Sequence, residues 1–207
     1  MTILTNAKIV LSDEIIDGTL TFDERGIQSI DAGKTSNSAA LDCEGDFLIP
    51  GLVELHTDNV ERHFMPRPGV YWPDHRAAAI AHDSEIAAAG ITTVFDALSV
   101  GDYDGKNSPR RELFAHMVAA VTKNNKEGHF KVDHQLHLRC ELSDPRLMDT
   151  LEPVVAEFSA SLVSLMDHTP GQRQWRDVET LKRYMTRTGL SPAQVQATID
   201  ERIAKGS

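Results

Sequence analysis

The sequence has few cysteines, no long apolar run and no excess of positive charge, and each absence argues against a class of protein. Its two cysteines, Cys43 and Cys140, have no paired spacing, which favours a reducing compartment over a disulfide framework. The apolar runs are too short to span a bilayer, and the first residues lack a secretory signal pattern. The net charge of −10 argues against non-specific nucleic-acid binding. We therefore expect a cytoplasmic protein with no membrane or nucleic-acid partner.

The chain divides into two parts by pattern. Of the 207 residues, 41% are hydrophobic and 25% are charged, which is normal for a folded protein with a real core. Residues 1–50 hold short alternating or β-branched runs separated by Asp-Gly, Arg-Gly and Ala-Gly turns. This pattern predicts a small β-rich segment, a meander of antiparallel strands.

Residues 51–207 alternate strand and helix patterns, which predicts a parallel sheet with helical crossovers. Strands are predicted for the run that ends at Leu55 and for residues 91–98, 131–142 and 162–166. Helices are predicted for residues 75–89, 109–126 and 145–159, and two more helices complete the chain. A full (β/α)8 barrel takes about 250 residues. The fold class is therefore α/β, with four β/α units that amount to half of such a barrel.

His56-Thr57-Asp58 is the most informative short motif. It follows the apolar run Phe47–Leu55, which we interpret as one buried strand. Residues two apart on a strand point to the same face, so an imidazole and a carboxylate meet there as half of a metal site. Asp58 has an alternative role as the cap of a following helix.

The predicted strand 131–142 carries a second row of polar residues. His137, Arg139 and Glu141 alternate with apolar residues, so they share one face of the strand. A solvated face would show the same alternation, and Glu141 could instead form a surface ion pair with Arg139 or a lysine. His168 follows the apolar run 162–166 and precedes a turn, which puts a third candidate ligand at a strand end.

Four further residues are predicted to lie outside the metal ligand set. We interpret His63, His75 and His82 as solvated or capping residues, with His82 on the polar surface of an alanine-rich helix. Asp96, at the end of the second strand, is expected behind the ligands rather than among them.

Three long blocks carry a resemblance to a known family. They are Leu55-His56-Thr57-Asp58-Asn59 with the following Pro66–Pro73 segment, His137–Leu142, and Leu162–Gln174. Together they resemble the α-D-ribose 1-methylphosphonate 5-triphosphate diphosphatases (the PhnM family) of the amidohydrolase superfamily. The segment 1–50 is similar to the small β-sandwich that precedes the barrel in that superfamily.

The resemblance implies an enzyme of the carbon–phosphorus lyase pathway of phosphonate degradation. Such enzymes cleave a ribosyl phosphonate 5-triphosphate to the 5-phosphate and pyrophosphate with metal-activated water. The implied cofactor is one or two divalent ions, with zinc favoured and manganese as the alternative. The implied metal ligands are His56, Asp58, Glu141 and His168.

The resemblance also implies roles around the metal. Arg139 and Arg173 are expected to bind phosphate oxygens of the small anionic substrate, and Arg67 is a weaker candidate for the same role. His137 and Asp167 are the expected catalytic residues. His137 could also serve as a metal ligand or as a hydrogen-bond donor to a phosphate oxygen.

Length sets this chain apart from the family pattern. In the superfamily, later barrel strands supply further histidines and an aspartate to the site. In this sequence, no histidine follows His168. We therefore expect the N-terminal half of such an enzyme, with incomplete metal coordination, little turnover alone and strand edges that favour self-association. An amidohydrolase acting on an amide, cyclic amide or deaminable base is one alternative function. An inactive relative that binds metal or phosphate is another.

Overall fold

The computed structural model describes residues 1–67, 69–101, 109–187 and 189–205, so Pro68 of the predicted arginine loop lies outside the described residues. The chain splits into two compact units, Met1–Gly51 and Leu52–Ser207. Within the described ranges, no helix is both long and apolar enough to cross a membrane.

The first unit is built around one mixed sheet of five strands. Strands β1 (Thr2–Val10), β2 (Ile15–Asp23) and β3 (Gly26–Ala32) pair in antiparallel fashion, as the turn pattern predicts. Two short strands, β4 (Leu41–Asp42) and β5 (Phe47–Leu48), pair with β1 in parallel. Strand β4 was not predicted, and β5 was predicted only as part of the run Phe47–Leu55. A small apolar core lies on this sheet, with its fully buried members being Ala7, Ile9 and Leu20.

The second unit holds a four-stranded parallel sheet. Its strands are β6 (Leu52–Thr57), β7 (Ile91–Val100), β8 (Asp133–Glu141) and β9 (Leu162–Met166), and they neighbour one another in chain order. Consecutive parallel strands joined by helices are the arrangement of (β/α) barrels and open α/β sheets. The predicted sheet of four parallel strands is therefore confirmed.

Six α-helices and one 3₁₀ turn accompany this sheet in the described part of the chain. They are α1 (Asn59–Phe64), α2 (His75–Ala88), α3 (Pro109–Lys126), α4 (Leu147–Glu157), the 3₁₀ turn Arg173–Trp175, α5 (Val178–Thr186) and α6 (Pro192–Lys205). Helix α2 ends before Gly90, whose φ of +77° suits a residue without a side chain. The short helix α1 was not predicted.

Helices α1 to α4 provide the core that covers one face of the sheet. Every second residue of β7 and β8 points into this core, and Leu98, Val100, Leu136, Leu138 and Cys140 are all buried there. The residues in between point to the opposite face, where the polar row of β8 lies. The sheet therefore has an apolar helix-covered face and a polar face, and the two carry different chemistry.

The prediction of one buried strand over Phe47–Leu55 is wrong. The run is interrupted at Pro50-Gly51, and its two parts belong to different sheets as β5 and β6. Strand β6 is also far from buried, since Leu52, Val53 and Leu55 are 50–58% exposed. The physical reason is that β6 is an edge strand, which pairs only with β7 in the described sheet.

Candidate metal-binding active site

The polar face of the sheet collects side chains at the carboxyl ends of β6, β8 and β9. On β8, His137, Arg139 and Glu141 occupy this face, and the residues between them lie in the apolar core. The carboxyl edge of a parallel sheet is where ligands bind in (β/α) barrels and open α/β sheets. The residues of this edge therefore form the candidate site.

His56 and Asp58 are close enough to bind the same metal ion. The Nε2 atom of His56 lies 3.7 Å from Oδ1 of Asp58, and both side chains are about half exposed. Asp58 occupies the position before α1, but its side chain makes no cap hydrogen bond. Its carboxylate instead accepts a hydrogen bond from Arg139. The Asp58 carboxylate therefore does not cap α1, and the Arg139 guanidinium holds it at the edge of the sheet.

Glu141 is buried and bonded to His168, not to Arg139. Its carboxylate accepts from the ring of His168, from the Ser143 hydroxyl at 2.6 Å and from the His168 backbone N–H at 3.2 Å. Burial acts to raise the pKa of Glu141, but these hydrogen bonds and the charge of His168 outweigh it and hold the pKa below its usual value. Both oxygens of Glu141 are therefore engaged, one of them in orienting His168.

His137 is held as a neutral ring between its neighbours. Its Nδ1–H donates to the Leu55 carbonyl at 3.1 Å, and its Nε2 accepts from the Ser164 hydroxyl at 2.8 Å. The ring also meets that of His56 edge to face, with centroids 5.2 Å apart. Burial lowers the pKa of His137, and the neighbouring charges of His56 and Arg139 add to the effect. His137 is therefore a neutral acceptor beside His56.

Asp167 and Arg173 lie just beyond the end of β9. The Asp167 carboxylate accepts from the Thr169 backbone N–H at 3.0 Å. Burial favours its neutral form, yet hydrogen bonds from Thr169 and the nearby charges of Arg173 and His168 hold the pKa of Asp167 below its usual value. Arg173 begins the 3₁₀ turn with a φ of +49°, an uncommon backbone conformation for a residue with a side chain. These two residues place opposite charges at the mouth of the site.

A single hollow brings most of the predicted residues together. It has a volume of about 540 Å³, and its wall includes His56, Arg139, Asp167, His168 and Arg173. A second hollow of about 380 Å³ lies on the other side of His56 and Asp58. Arg67 lines neither hollow and forms an isolated β-bridge with Val70.

The four predicted metal ligands form two pairs rather than one cluster. His56 is near Asp58, and Glu141 is bonded to His168, but within the described ranges these four do not form a group with ligand atoms within 4.8 Å of one another. His56 and Asp58 fit a metal as two converging donors of suitable type. Glu141 fits better as the carboxylate that fixes the tautomer of a ligating His168.

A different group of potential ligands is compact. His82, Asp96 and His134 offer ligand atoms that all lie within 4.8 Å of one another, and this group could hold a metal ion. It lies on the helix-covered face of the sheet, away from the hollow. The interpretation of His82 as a surface residue is therefore wrong, since both His82 and Asp83 are buried between α2 and the sheet.

A signal in the sequence could have located this group. The inward stripe of α2 comprises Ala78, Ala79, His82, Asp83 and Ile86, which is regular helical spacing. On the strands, Asp96 and His134 share the alternation phase of the buried apolar residues. Helix α2 and strands β7 and β8 thus each carry a polar residue at a position where the sequence pattern places buried apolar residues.

Comparison with known proteins supports the fold class first. No family model matches the chain. A D-hydantoinase structure matches 99% of this chain and 49% of its own, with 16% identity and a TM-score of 0.50. An N-acetyl-D-glucosamine-6-phosphate deacetylase from Mycobacterium smegmatis matches 97% of this chain and 58% of its own, with 18% identity and a TM-score of 0.50. The chain therefore shares the fold of these two structures over the part of them that it covers.

A curated relative gives a closer likeness. The chain is 40% identical over 204 residues to the α-D-ribose 1-methylphosphonate 5-triphosphate diphosphatase of Escherichia coli (strain K12). The match includes 98% of this chain and 53% of the relative, so the chain spans about half the length of the curated relative it matches. The resemblance drawn from the three sequence blocks is confirmed.

Proposed function

We propose that the site at the carboxyl edge of β6–β9 belongs to a metal-dependent hydrolase of a phosphoric anhydride. The proposed reaction is cleavage of α-D-ribose 1-methylphosphonate 5-triphosphate to the 5-phosphate and pyrophosphate, in the carbon–phosphorus lyase pathway of the cytoplasm. The observation that carries the proposal is the pairing of Arg139 and Arg173 in one hollow with His56 and His168. The 40% identity to a diphosphatase supports the same substrate class.

The charge of the hollow suits an anionic substrate. The chain as a whole carries a net charge of −10, which repels a triphosphate. Two guanidinium groups on the same wall oppose that field locally and can bind phosphate oxygens in bidentate fashion. A pocket for a neutral cyclic amide has no need for them. The arginines therefore favour the diphosphatase over the amide-hydrolase alternative.

His56, Asp58 and His168 are the proposed metal ligands, with Glu141 orienting His168. Zinc is the proposed ion, and when bound it would polarise a phosphoryl oxygen and activate water for attack. Arg139 donates to Oδ1 of Asp58, the oxygen that is nearest to Nε2 of His56, so we propose that this hydrogen bond opens when the ion binds there. This exchange would release the guanidinium toward the substrate, so metal and phosphate binding are expected to support one another.

Asp167 is the proposed general base. Its position on the wall of the hollow, next to His168, lets its carboxylate accept a proton from the attacking water. His137 is proposed to hold His56 and Ser164 in place and to pass a proton through Nε2 when Ser164 rotates away.

Binding to the 207-residue chain tests the substrate class. With zinc present, titration calorimetry with a ribose 5-triphosphate such as ATP is expected to show binding, whereas hydantoin is expected to show none. Hydantoin binding without triphosphate binding would support the amide-hydrolase alternative instead. Omitting zinc is expected to weaken triphosphate binding at least about tenfold, because the bound ion offsets the negative charge of the phosphate oxygens.

Turnover is a separate question from binding. Within the described residues the ligands form two pairs, so we expect little or no pyrophosphate release by this chain alone. A coupled pyrophosphate assay with added zinc measures it. Robust release would contradict the expectation of an incomplete site while supporting the substrate class.

A further inference from the structure

His82, Asp96 and His134 meet in the interior between α2 and the sheet. The Nε2 atom of His82 lies 2.7 Å from Oδ1 of Asp96, and Nδ1 of His134 lies 2.7 Å from Oδ2 of the same carboxylate. All three side chains are fully buried. Three elements thus bring two imidazole nitrogens and a carboxylate close together. None of these three side chains lines the hollow of the proposed active site.

The far nitrogens of both rings also have partners. Nε2 of His134 lies 3.3 Å from Oδ1 of Asp83, and Nδ1 of His82 lies 3.3 Å from the side-chain amide of Asn59. A metal-bound imidazole characteristically donates its other N–H to a carboxylate, carbonyl or water. Asp83 meets this need directly, and the Asn59 amide meets it when rotated so that its oxygen faces the ring.

The group contains two buried carboxylates, which need positive charge close by. Asp83 and Asp96 are both buried, and within the described ranges the ion-pair partners of these carboxylates are histidines. Asp83 also accepts from the Lys131 and Val132 backbone N–H groups, at 2.9 and 3.0 Å. Two buried carboxylates without positive charge beside them would be costly. A divalent cation with two neutral imidazoles balances their charge, as protonation of both rings would.

We propose that His82, Asp96 and His134 bind a structural divalent transition metal of the zinc class on the helix-covered face of the sheet. Two imidazole nitrogens and one or both Asp96 oxygens are the donor types that such ions take in proteins. The ion would connect α2 with β7 and β8. The proposal does not depend on the proposed function, because this group lies outside the hollow.

The test first removes His56 and Asp58, two of the three proposed ligands at the carboxyl edge of the sheet. In the variant His56→Ala/Asp58→Ala, purified with zinc and dialysed, elemental analysis is expected to find about one equivalent of metal, because the buried group retains its ligands. Cobalt substitution should give the visible absorption bands of a low-coordinate site. A chain that loses its metal on dialysis and shows no such bands would overturn the proposal and leave a hydrogen-bonded His–Asp–His group.

Adding His134→Gln to that background is expected to abolish the retained equivalent. The matched control, His129→Gln, changes an exposed histidine outside the group and should leave the metal in place. A folded His134→Gln chain that keeps its metal would overturn the proposal.

A chelator provides the measurement if His134→Gln fails to fold. In the His56→Ala/Asp58→Ala background, removing the metal is expected to lower the thermal midpoint by about 5 °C or more, and adding zinc back should restore it. An unchanged midpoint in both steps would overturn the proposal.

Discussion

Arg173 combines exposure, an uncommon backbone conformation and a position on the wall of the hollow at the candidate site. Its φ of +49° is a backbone conformation that costs free energy for a residue with a side chain, and such conformations cluster at ligand-binding sites. It lies near enough to Asp167 to lower the pKa of that carboxyl. These features favour a role in binding rather than in folding.

Arg173→Gln is therefore expected to weaken zinc-dependent binding of pyrophosphate about tenfold, because one charge-assisted contact is lost. The free energy of unfolding should change little, since the side chain is exposed. Calorimetry with pyrophosphate measures the loss. The control Arg176→Gln removes the same charge three residues further on, outside the hollow, and an equal loss there would mean that only net charge matters.

His75 links stability to pH through its packing. The ring stacks on Phe64 with centroids 5.4 Å apart and lies 4.6 Å from the ring of His116. Burial lowers the pKa of His75, and the charge of His116 adds to this, while Asp74 opposes it. The unfolded chain therefore binds a proton at His75 more readily than the folded chain does.

The sign of the pH effect follows from this difference. Stability is expected to decline as pH falls through the ordinary histidine pKa of about 6.5, because protonation then favours the unfolded state. His75→Gln should make the decline in urea midpoint between pH 7 and pH 5 smaller, and His129→Gln should not. An unchanged decline in His75→Gln would contradict the assignment.

Helix α2 is the element that most clearly begins where local chemistry requires. Asp74 accepts hydrogen bonds from the backbone N–H groups of Arg76 and Ala77, at 2.8 and 3.2 Å. An aspartate at this position satisfies two donors that have no partner within the helix. The alanine-rich sequence then carries the helix to Gly90.

Asp74→Ala is expected to cost about 1 kcal/mol of stability through the loss of this cap. Asp200→Ala, on the exposed face of α6, should change stability by less than about 0.5 kcal/mol. Denaturant unfolding of both variants makes the comparison. Equal midpoints would show that the cap contributes nothing.

The elements were more predictable than their surroundings. Alternation and helical spacing gave the four parallel strands and helix α2, because these patterns depend on near neighbours in the chain. The break at Pro50-Gly51 and the exposure of β6 depend instead on which sheet each half joins. The burial of His82 was missed because a histidine in an alanine-rich helix was assigned to the polar face, although Ala78 and Ile86 mark the same stripe.

At the scale of the whole molecule, both edges of the parallel sheet affect solubility. Strand β9 is one edge, and its Val163 and Leu165 are 52% and 71% exposed, on the face where β7 and β8 contact helices. An exposed apolar edge strand is a template for pairing with another chain. We therefore expect the 207-residue chain to self-associate as its concentration rises.

Leu165→Lys is expected to reduce this association, since a charged edge residue opposes strand pairing. Sedimentation velocity over a range of concentrations measures it. Met148→Lys changes a side chain of similar exposure on α4, away from either edge, and should leave association unchanged. A wild-type chain that stays monomeric at all concentrations would contradict the expectation.

The convergence of the site could be predicted only in part. Strand ends indicate which residues reach the carboxyl edge, and His56, Arg139, Asp167, His168 and Arg173 do share a hollow. Whether ligand atoms meet depends on strand register, and the pairing of β6 with β7 is irregular between Glu54 and Thr57. Such irregularities arise from tertiary packing, which local patterns do not encode. That is why the Asp58–Arg139 pair could not be foreseen.

The position of a bound metal at the carboxyl edge tests the central claim most directly. Crystals of the chain grown with zinc and pyrophosphate, measured at the zinc absorption edge, are predicted to show an anomalous peak within bonding distance of His56 and Asp58. Arg139 should then have left Asp58 for the pyrophosphate. A map with no peak beside His56 and Asp58, with Arg139 still bonded to Asp58, would contradict a metal-dependent phosphoric-anhydride site.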